Sequence, residues 1–400
     1  MPTLFRFTHS ILLLAVMTLL FFPGTTLFSK AARADNYGGL TPLERLGKRV
    51  FFDTSLSEPA GQACSSCHVP ETGFTGPSSA RENPGAIEPG VVVGRFGNRK
   101  PPSVAYAAFS PEFHFDKKEK LYLGGQFWDG RASTLQDQAG QPFMNPLEMN
   151  VATPRAVCAK VNKTDYNAEF LTIFGSALTC AGSAKDDFDK ITQALAAYEK
   201  SPEVNPFSSK YDFFLRGRAE LSKQEKRGLE LFNGEKKGNC AACHPSQPQG
   251  KNAPPLFTDF SYDNLGMPAN PANPFLSQTS EFNPAGKSWK DYGLGAVVGD
   301  KKLNGAFKVS TLRNVAKVPN TGFERAYGHN GVFKTLKDVV HFYNSRDVRS
   351  AGWASPEFPE TMNTEELGNL KLSDADEDDI VAFLKTLTDG YDPLSDKYPD

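Results

Sequence analysis

Two short motifs of cysteine and histidine are the residues of this chain best suited to do chemistry. The first reads Cys-Ser-Ser-Cys-His at residues 64–68, and the second reads Cys-Ala-Ala-Cys-His at residues 240–244. In a Cys-x-x-Cys-His sequence the two thiols can add to the vinyl groups of one porphyrin, and the adjacent histidine can bind its iron. The spacing therefore predicts two covalent c-type haems, with attachment at Cys64, Cys67, Cys240 and Cys243 and proximal ligands His68 and His244.

Two other uses of a Cys-x-x-Cys pair compete with haem attachment. Such pairs also hold structural zinc in sets of four ligands, and they form thioredoxin-like redox pairs. In both motifs a histidine directly follows the second cysteine, as haem attachment requires and as neither alternative needs. We therefore favour haem over zinc and over a redox thiol pair.

The first 34 residues have the pattern of a secretory signal peptide. Arg6 gives a basic start, an apolar run extends from Ile11 to Phe22, and residues 32–34 form a small-residue cleavage site. The apolar run is short for a bilayer span, so no stable membrane anchor is expected. The mature chain is predicted to begin at Asp35 and to lie in the periplasm.

Charge and the remaining cysteines fit an exported protein. The formal net charge is −2 for the full chain and −5 without the predicted signal peptide, so no nucleic-acid partner is expected. Haem attachment uses four of the six cysteines and leaves Cys158 and Cys180. In an oxidising compartment this pair is expected to form a disulfide rather than to remain as two free thiols.

An internal repeat accompanies the two haem motifs. Residues 41–51 precede the first motif and residues 222–232 precede the second, with Gly47 matching Gly228. Each copy begins with Thr or Ser as an N-cap and continues as a short amphipathic helix. The repeat predicts two related haem domains.

The fold class predicted from these features is mainly α, with two cytochrome c-like haem domains, long ordered loops and little sheet. A helical pattern over residues 188–198 is followed by the Pro-containing stretch that begins at Ser201. We therefore predict an N-terminal haem domain at residues 35–201 and a C-terminal haem domain at residues 202–400.

Three further segments carry a resemblance to a known family. Residues 126–149 read QFWDGRASTLQDQAGQPFMNPLEM, residues 308–315 read KVSTLRNV and residues 328–336 read GHNGVFKTL. Together with both haem motifs, they resemble the bacterial di-haem cytochrome c peroxidase and MauG superfamily over nearly all of the mature chain. The resemblance implies a peroxidase-type oxidoreductase whose N-terminal haem meets peroxide and whose C-terminal haem exchanges electrons.

The resemblance also implies roles for four residues between the haem motifs. Trp128 matches a tryptophan that passes electrons or holes between the haems; its alternative is an ordinary buried aromatic. Glu148 matches the acid-base group above the peroxidatic haem, although most glutamates are simply solvated. Gln138 would orient water or peroxide, or merely satisfy local backbone groups, and Pro142 belongs to the same pocket.

The remaining iron ligands decide the branch of the family. No histidine lies between His68 and His114, and His114 does not occupy the family's distal position, so the N-terminal haem is expected to be open to peroxide without prior reduction. At the second haem, the family alignment places the sixth ligand at Tyr343, with His341 and Met267 as rivals. A phenolate favours ferric and higher oxidation states, whereas a Met ligand is typical of the family's peroxidases. These features favour the MauG-type branch.

Members of this family commonly bind one calcium ion between the haems, so calcium is a further implied cofactor. Its usual ligands are an asparagine, here replaced by Lys100 with Asn98 displaced from it, and backbone carbonyls. The second ligand segment, residues 318–325, does not match the family pattern position by position.

The leading functional hypothesis is a periplasmic di-haem oxidoreductase of MauG type. It would use hydrogen peroxide to form high-valent haem and then oxidise a residue of a partner protein. The alternative is a cytochrome c peroxidase that reduces peroxide to water with electrons from a small cytochrome c or a cupredoxin. A non-enzymatic electron carrier ranks last, because it leaves Glu148, Gln138 and an open haem unexplained.

Overall fold

The computed structural model describes residues 39–181, 184–248 and 254–398. The predicted signal peptide lies outside these ranges. Within them, the chain forms eleven α-helices and two small antiparallel sheets, joined by long loops and 3₁₀ turns. The helices are α1 (Pro42–Phe52), α2 (Cys64–Cys67), α3 (Leu135–Met144), α4 (Pro154–Val161), α5 (Asn167–Phe174), α6 (Lys185–Lys200), α7 (Lys210–Leu215), α8 (Lys223–Phe232), α9 (Leu294–Val298), α10 (Leu336–Ser345) and α11 (Asp374–Lys385).

The two sheets are short pairs of antiparallel strands, and only the first is a hairpin. Strands β1 (His114–Asp116) and β2 (Leu121–Leu123) pair with each other, as do β3 (Tyr262–Asp263) and β4 (Phe307–Lys308). The prediction of a mainly helical fold with little sheet is confirmed.

The internal repeat appears as two equivalent helix pairs. Helix α1 packs on α6, and α8 packs on α11. At each crossing, a Cβ atom at Gly47 or Gly228 would collide with a backbone carbonyl of the partner helix, at Ala194 and Asp379 respectively. Both α1 and α8 begin with the Thr or Ser N-cap that the repeat predicts. In each helix this side chain accepts from the backbone N–H of a glutamate three residues later, and the two residues form a capping box.

Two clusters of buried apolar side chains form the interior. The first is built mainly by α1, α3, α4, α5 and α6, and the second by α7, α8, α10 and α11. The chain passes from the first cluster to the second after α6. The domain boundary between residues 201 and 202 stays a prediction. Leu256 and Phe260, from the second half of the sequence, pack in the first cluster.

The predicted disulfide between Cys158 and Cys180 is confirmed, and it fastens α4 to the loop before α6. None of the helices within the described ranges is long and apolar enough to cross a membrane.

Buried ion pairs hold the loops of the two halves together. Arg99 donates to Asp129 Oδ2 at 2.6 Å and to both carboxylate oxygens of Asp291, at 2.6 and 2.7 Å. All three side chains are almost completely buried. Because each charge has a partner, the network can be buried without an uncompensated charge, and it fixes the loop that carries Trp128.

Candidate haem sites

The two motif histidines are held in the same way. His68 Nδ1 lies 3.1 Å from the carbonyl oxygen of Phe74, and His244 Nδ1 lies 2.7 Å from that of Phe257. Both phenylalanines have a left-handed backbone, with φ values of 58° and 54°, which turns their carbonyls toward the histidines. An Nδ1–H that donates to a carbonyl leaves Nε2 available for a metal.

Burial keeps both imidazoles neutral, as an iron ligand must be. It lowers the pKa of His68 to about 4 and lowers the pKa of His244, although the carbonyl contact opposes the shift in each case. The motif histidines are therefore prepared for metal binding in geometry and in charge state.

The four motif cysteines do not suit a zinc site. Burial raises the pKa of Cys64, Cys240 and Cys243 to about 12 and raises that of Cys67 as well, which disfavours the thiolate that zinc requires. Among the residues that the structure describes, no group of three or more His, Cys, Asp or Glu side chains could hold a metal ion.

A mainly apolar cavity, called the second cavity because it adjoins the second motif, holds several of the predicted residues. Cys240, Cys243 and His244 line it, and so does Tyr343 from α10. Burial and the neighbouring Cys243 and Asp263 raise the pKa of the Tyr343 hydroxyl, so the neutral phenol is favoured until a cation is bound to it.

The two rivals of Tyr343 lie in different places. Met267 also lines the cavity. His341 is half-exposed outside it, with Nδ1 2.9 Å from Glu377 Oε1. Helix geometry separates residues two positions apart, which is why Tyr343 and His341 face different surroundings. The assignment of the sixth ligand to Tyr343 stays a prediction.

Several buried polar atoms near the motifs lack partners among the described residues. Both ring nitrogens of His329 and Nε of Arg325 are unpaired, and both side chains line the second cavity. Near the first motif, the same holds for Gln62 Oε1 and Glu199 Oε2. Buried polar groups are normally hydrogen-bonded, and the propionates of a haem would accept from the unpaired N–H groups of Arg325 and His329. These two residues fit a haem at the second motif.

Trp128 lies between the two sites. Its indole Nε1 donates to the carbonyl oxygen of Lys100 at 2.8 Å, and its ring meets the His329 ring edge to face, with centroids 6.5 Å apart. Its side chain also lines the second cavity. The relay role of Trp128 stays a prediction.

Helix α3 and the turn after it bring the predicted distal residues together. Gln138 and Pro142 are four residues apart on α3 and so share one face, and Pro142 cannot donate a backbone hydrogen bond. Glu148 follows the helix and accepts from Asn145 Nδ2 at 2.8 Å. Its charge acts on both Cys64 and Cys67, which places it beside the first motif.

Burial makes Glu148 a better proton carrier than an exposed glutamate. It raises the pKa of this carboxyl, while Arg131 and the hydrogen bond from Asn145 oppose the shift. A carboxyl with a raised pKa can both take up and return a proton near neutral pH.

His114 lies on the exposed hairpin β1–β2, with Nδ1 2.8 Å from the carbonyl oxygen of Glu112. It therefore belongs to an exposed strand, although its position in the sequence suggested a loop.

The expectation of calcium does not fit the residues present. The side chain of Lys100 is buried at the predicted ligand position, and an ammonium group has no lone pair for a metal. The carbonyl of Asn98, the displaced candidate, accepts from Asn273 Nδ2 at 3.0 Å.

Sequence reasoning missed part of the wall between the two haem sites. Lys308 is buried beside Trp128 and donates through its backbone N–H to the Trp128 carbonyl at 2.8 Å. The segment at residues 328–336 contains His329 but gives it no role, and no sequence pattern points to Asp291. The one sequence signal for Lys308 and His329 is that they belong to the segments that carry the family resemblance.

The comparisons with known proteins agree with this geometry. The sequence profile described as di-haem cytochrome c peroxidase matches residues 42–220. The chain is 38% identical to the methylamine utilization protein MauG of Paracoccus denitrificans, over 88% of this chain and 90% of that protein. It is 30% identical to the cytochrome c551 peroxidase of Pseudomonas aeruginosa, over 86% and 78%. The crystal structure of the diheme peroxidase BthA of Burkholderia thailandensis superposes with a TM-score of 0.75 at 35% identity, covering 90% of each chain.

Proposed function

This chain belongs to the family of di-haem cytochrome c peroxidases that includes MauG, and we propose that it uses hydrogen peroxide to oxidise a residue of a partner protein. The observation that carries the proposal is that Tyr343 lines the cavity of the second motif, whereas its rival His341 does not. When bound, the haems supply the iron chemistry that accepts the oxidising power of peroxide and retains it. A phenolate ligand favours that retention.

Glu148 moves the protons of the peroxide step. In its carboxylate form it takes a proton from the peroxide oxygen nearest the iron and returns it to the outer oxygen, which then leaves as water. The amide of Asn145 holds the carboxylate in place. Gln138 and Pro142 share one face of α3. Gln138 orients the peroxide, and Pro142 limits the space for water.

The overall exchange balances with two electrons and two protons. Hydrogen peroxide accepts both and leaves as two water molecules. In the proposed reaction both electrons come from a side chain of the partner protein, a Trp or Tyr. Trp128 connects the two haems on the path of these electrons. The indole of Trp128 is the readily oxidised group between the two sites, and its hydrogen bond to Lys100 fixes its orientation.

A cytochrome c peroxidase activity is the second candidate. Met267 lines the same cavity as Tyr343 and would favour this function if it bound the iron. The electrons would then come from a small cytochrome c or a cupredoxin. In both cases we place the reaction in the periplasm, on the grounds of the predicted signal peptide and the covalent haems.

The two candidate functions differ in the electron donor that reduces hydrogen peroxide. It is a side chain of a partner protein in the first, and a small cytochrome c or a cupredoxin in the second. The test is steady-state peroxide turnover by the purified holoprotein with excess reduced small cytochrome c, for the wild type and for Tyr343→Met. We expect slow cytochrome oxidation by the wild type and faster oxidation by the variant, because a thioether stabilises the ferrous state that a donor must populate. Fast turnover by the wild type, unchanged in the variant, would contradict the proposal and favour the peroxidase.

A further inference from the structure

A side-chain cation fills the place where the family resemblance implies calcium. Lys100 Nζ donates to Thr75 Oγ1 at 2.6 Å and to the carbonyl oxygen of Pro101 at 3.3 Å. Glu88 acts on this ammonium from a distance, but its carboxylate is bonded to Ser78 instead. Both acceptors of the ammonium are therefore neutral oxygens, of the type that calcium would use.

A second side-chain cation, Arg325, binds backbone carbonyl oxygens. Arg325 Nη1 donates to the backbone oxygens of Thr72, Asn314 and Lys317, at 3.0, 2.7 and 2.9 Å. The Arg325 side chain is buried and makes no ion pair within the described residues. Its guanidinium binds backbone oxygens of both halves of the chain at once.

We propose that Lys100, assisted by Arg325, supplies the fixed positive charge between the two haems of this protein, and that no calcium binds there. An ammonium offers donors only, so it cannot coordinate a metal. Two buried cations also repel a divalent ion strongly, because the surroundings screen charge poorly. The implied asparagine position is thus filled by a positive charge and not by a calcium ligand.

The backbone of Lys100 places this charge where it acts on both haem sites. Its carbonyl accepts the Trp128 indole N–H, and its N–H donates to the carbonyl of His329 at 2.8 Å. Its ammonium binds Thr75, the residue after Phe74, whose carbonyl orients His68. One residue therefore joins the proximal loop of the first haem, the tryptophan and the wall of the second cavity.

The charge has a predictable redox effect. Reduction of a haem adds an electron, and a nearby cation stabilises the reduced form. The wild type should therefore have higher haem midpoint potentials than a variant that lacks the ammonium.

The first experiment measures metal content and calcium response of the wild-type holoprotein. We expect no stoichiometric calcium by elemental analysis after dialysis against a calcium-containing buffer, and no change in haem spectra or midpoint potentials on adding EGTA. About one calcium per chain, with spectra that respond to its removal, would overturn the proposal. This result does not depend on whether Lys100 variants fold.

The second experiment compares two lysines whose backbones both hydrogen-bond to Trp128. Lys100→Met should lower the haem midpoint potentials measured by spectroelectrochemistry. Lys308→Met is the matched control, since Lys308 donates to the carbonyl of Gly125 and has Asp129 to offset its charge; a smaller shift is expected. Equal potentials in Lys100→Met and the wild type would overturn the role assigned to the charge. None of these readouts uses peroxide or a partner protein, so the outcome is separate from that of the proposed function.

Discussion

At the scale of single residues, the chemistry assigned to this protein depends on how burial changes ordinary side chains. His68 and His244 are neutral because they are buried, and each keeps one ring nitrogen free because a phenylalanine carbonyl binds the other. Burial likewise raises the pKa of Glu148, which suits the proton-carrying role proposed for it. The sequence identifies these residues, whereas their surroundings determine their charge state.

Replacing Glu148 by Gln should abolish the reaction with peroxide and leave both haems attached. The amide keeps the size of the side chain but cannot take up a proton, and loss of general acid-base catalysis typically lowers a rate about 10²–10⁴-fold. The measurement is the second-order rate constant for peroxide by stopped flow, with haem content as the control. Full retained reactivity would remove Glu148 from the proton pathway.

The raised pKa of Glu148 predicts a pH dependence. The carboxylate form is required, so reactivity of the wild type should fall as the pH is lowered through that raised pKa, which lies above the value of an exposed glutamate. A pH profile of the same rate constant measures this limb. A flat profile down to the range of an ordinary glutamate would show that another group carries the proton.

Tyr343→Phe should change the spectrum of the second haem and leave that of the first unaltered. Phenylalanine fills the same space but offers no oxygen to the iron. Visible and electron paramagnetic resonance spectra of the oxidised protein measure the change, and His341→Phe is the control because His341 lies outside the cavity. An unaltered spectrum in Tyr343→Phe would leave Met267 as the ligand.

At the scale of elements, the helices were predictable and the loops were not. The Ser or Thr caps and the glycines of the repeat gave α1 and α8, because capping and close helix contact depend on a few local residues. The loops that build the inter-haem wall depend instead on contacts between distant residues, such as Arg99 with Asp291. Single-sequence patterns carry no signal for such pairs, so the hydrogen bonds of Lys100 to Thr75 and of Arg325 to three carbonyls could not be predicted.

The close crossing of α8 and α11 gives an element-scale prediction. Gly228→Ala should destabilise the protein by about 1–3 kcal/mol, because the new methyl group meets the backbone of Asp379 and the two helices must separate. Both helices contribute to the wall of the second cavity, through Phe232 of α8 and Ile380 of α11, so the second haem should be perturbed more than the first.

Thermal and denaturant unfolding of the holoprotein measure the change in stability. The matched control is Gly322→Ala, an exposed glycine with little packed against it, which should leave the stability within about 0.5 kcal/mol of the wild type. Equal stabilities in the two variants would mean that the α8–α11 crossing is not as tight as described.

At the scale of the whole molecule, two equivalent helical units are joined by a polar, mostly cationic wall with one tryptophan in it. Arg99, Lys100, Lys308 and Arg325 surround the loops at Trp128, and their partners come from both halves of the chain. Hydrogen bonds and ion pairs therefore connect the loops of the two halves around Trp128.

Trp128→Phe should leave both haems attached and their spectra nearly unaltered but should slow the transfer of oxidising equivalents between them. Phenylalanine retains the aromatic contact with His329 but is much harder to oxidise and loses the hydrogen bond to Lys100. Stopped-flow spectra after addition of peroxide would separate changes at the first haem from later changes at the second. Simultaneous changes at wild-type rate in the variant would exclude Trp128 as the relay.

The measurement that tests the central claim most directly is a stopped-flow titration of the fully oxidised holoprotein with hydrogen peroxide, without prior reduction. We expect a rapid, stoichiometric reaction at the first haem, followed by a long-lived oxidised state that involves the second haem as well. If no reaction occurs until one haem has been reduced, the first haem carries a sixth ligand in its resting state, and the proposal of peroxide-driven oxidation of a partner protein is contradicted.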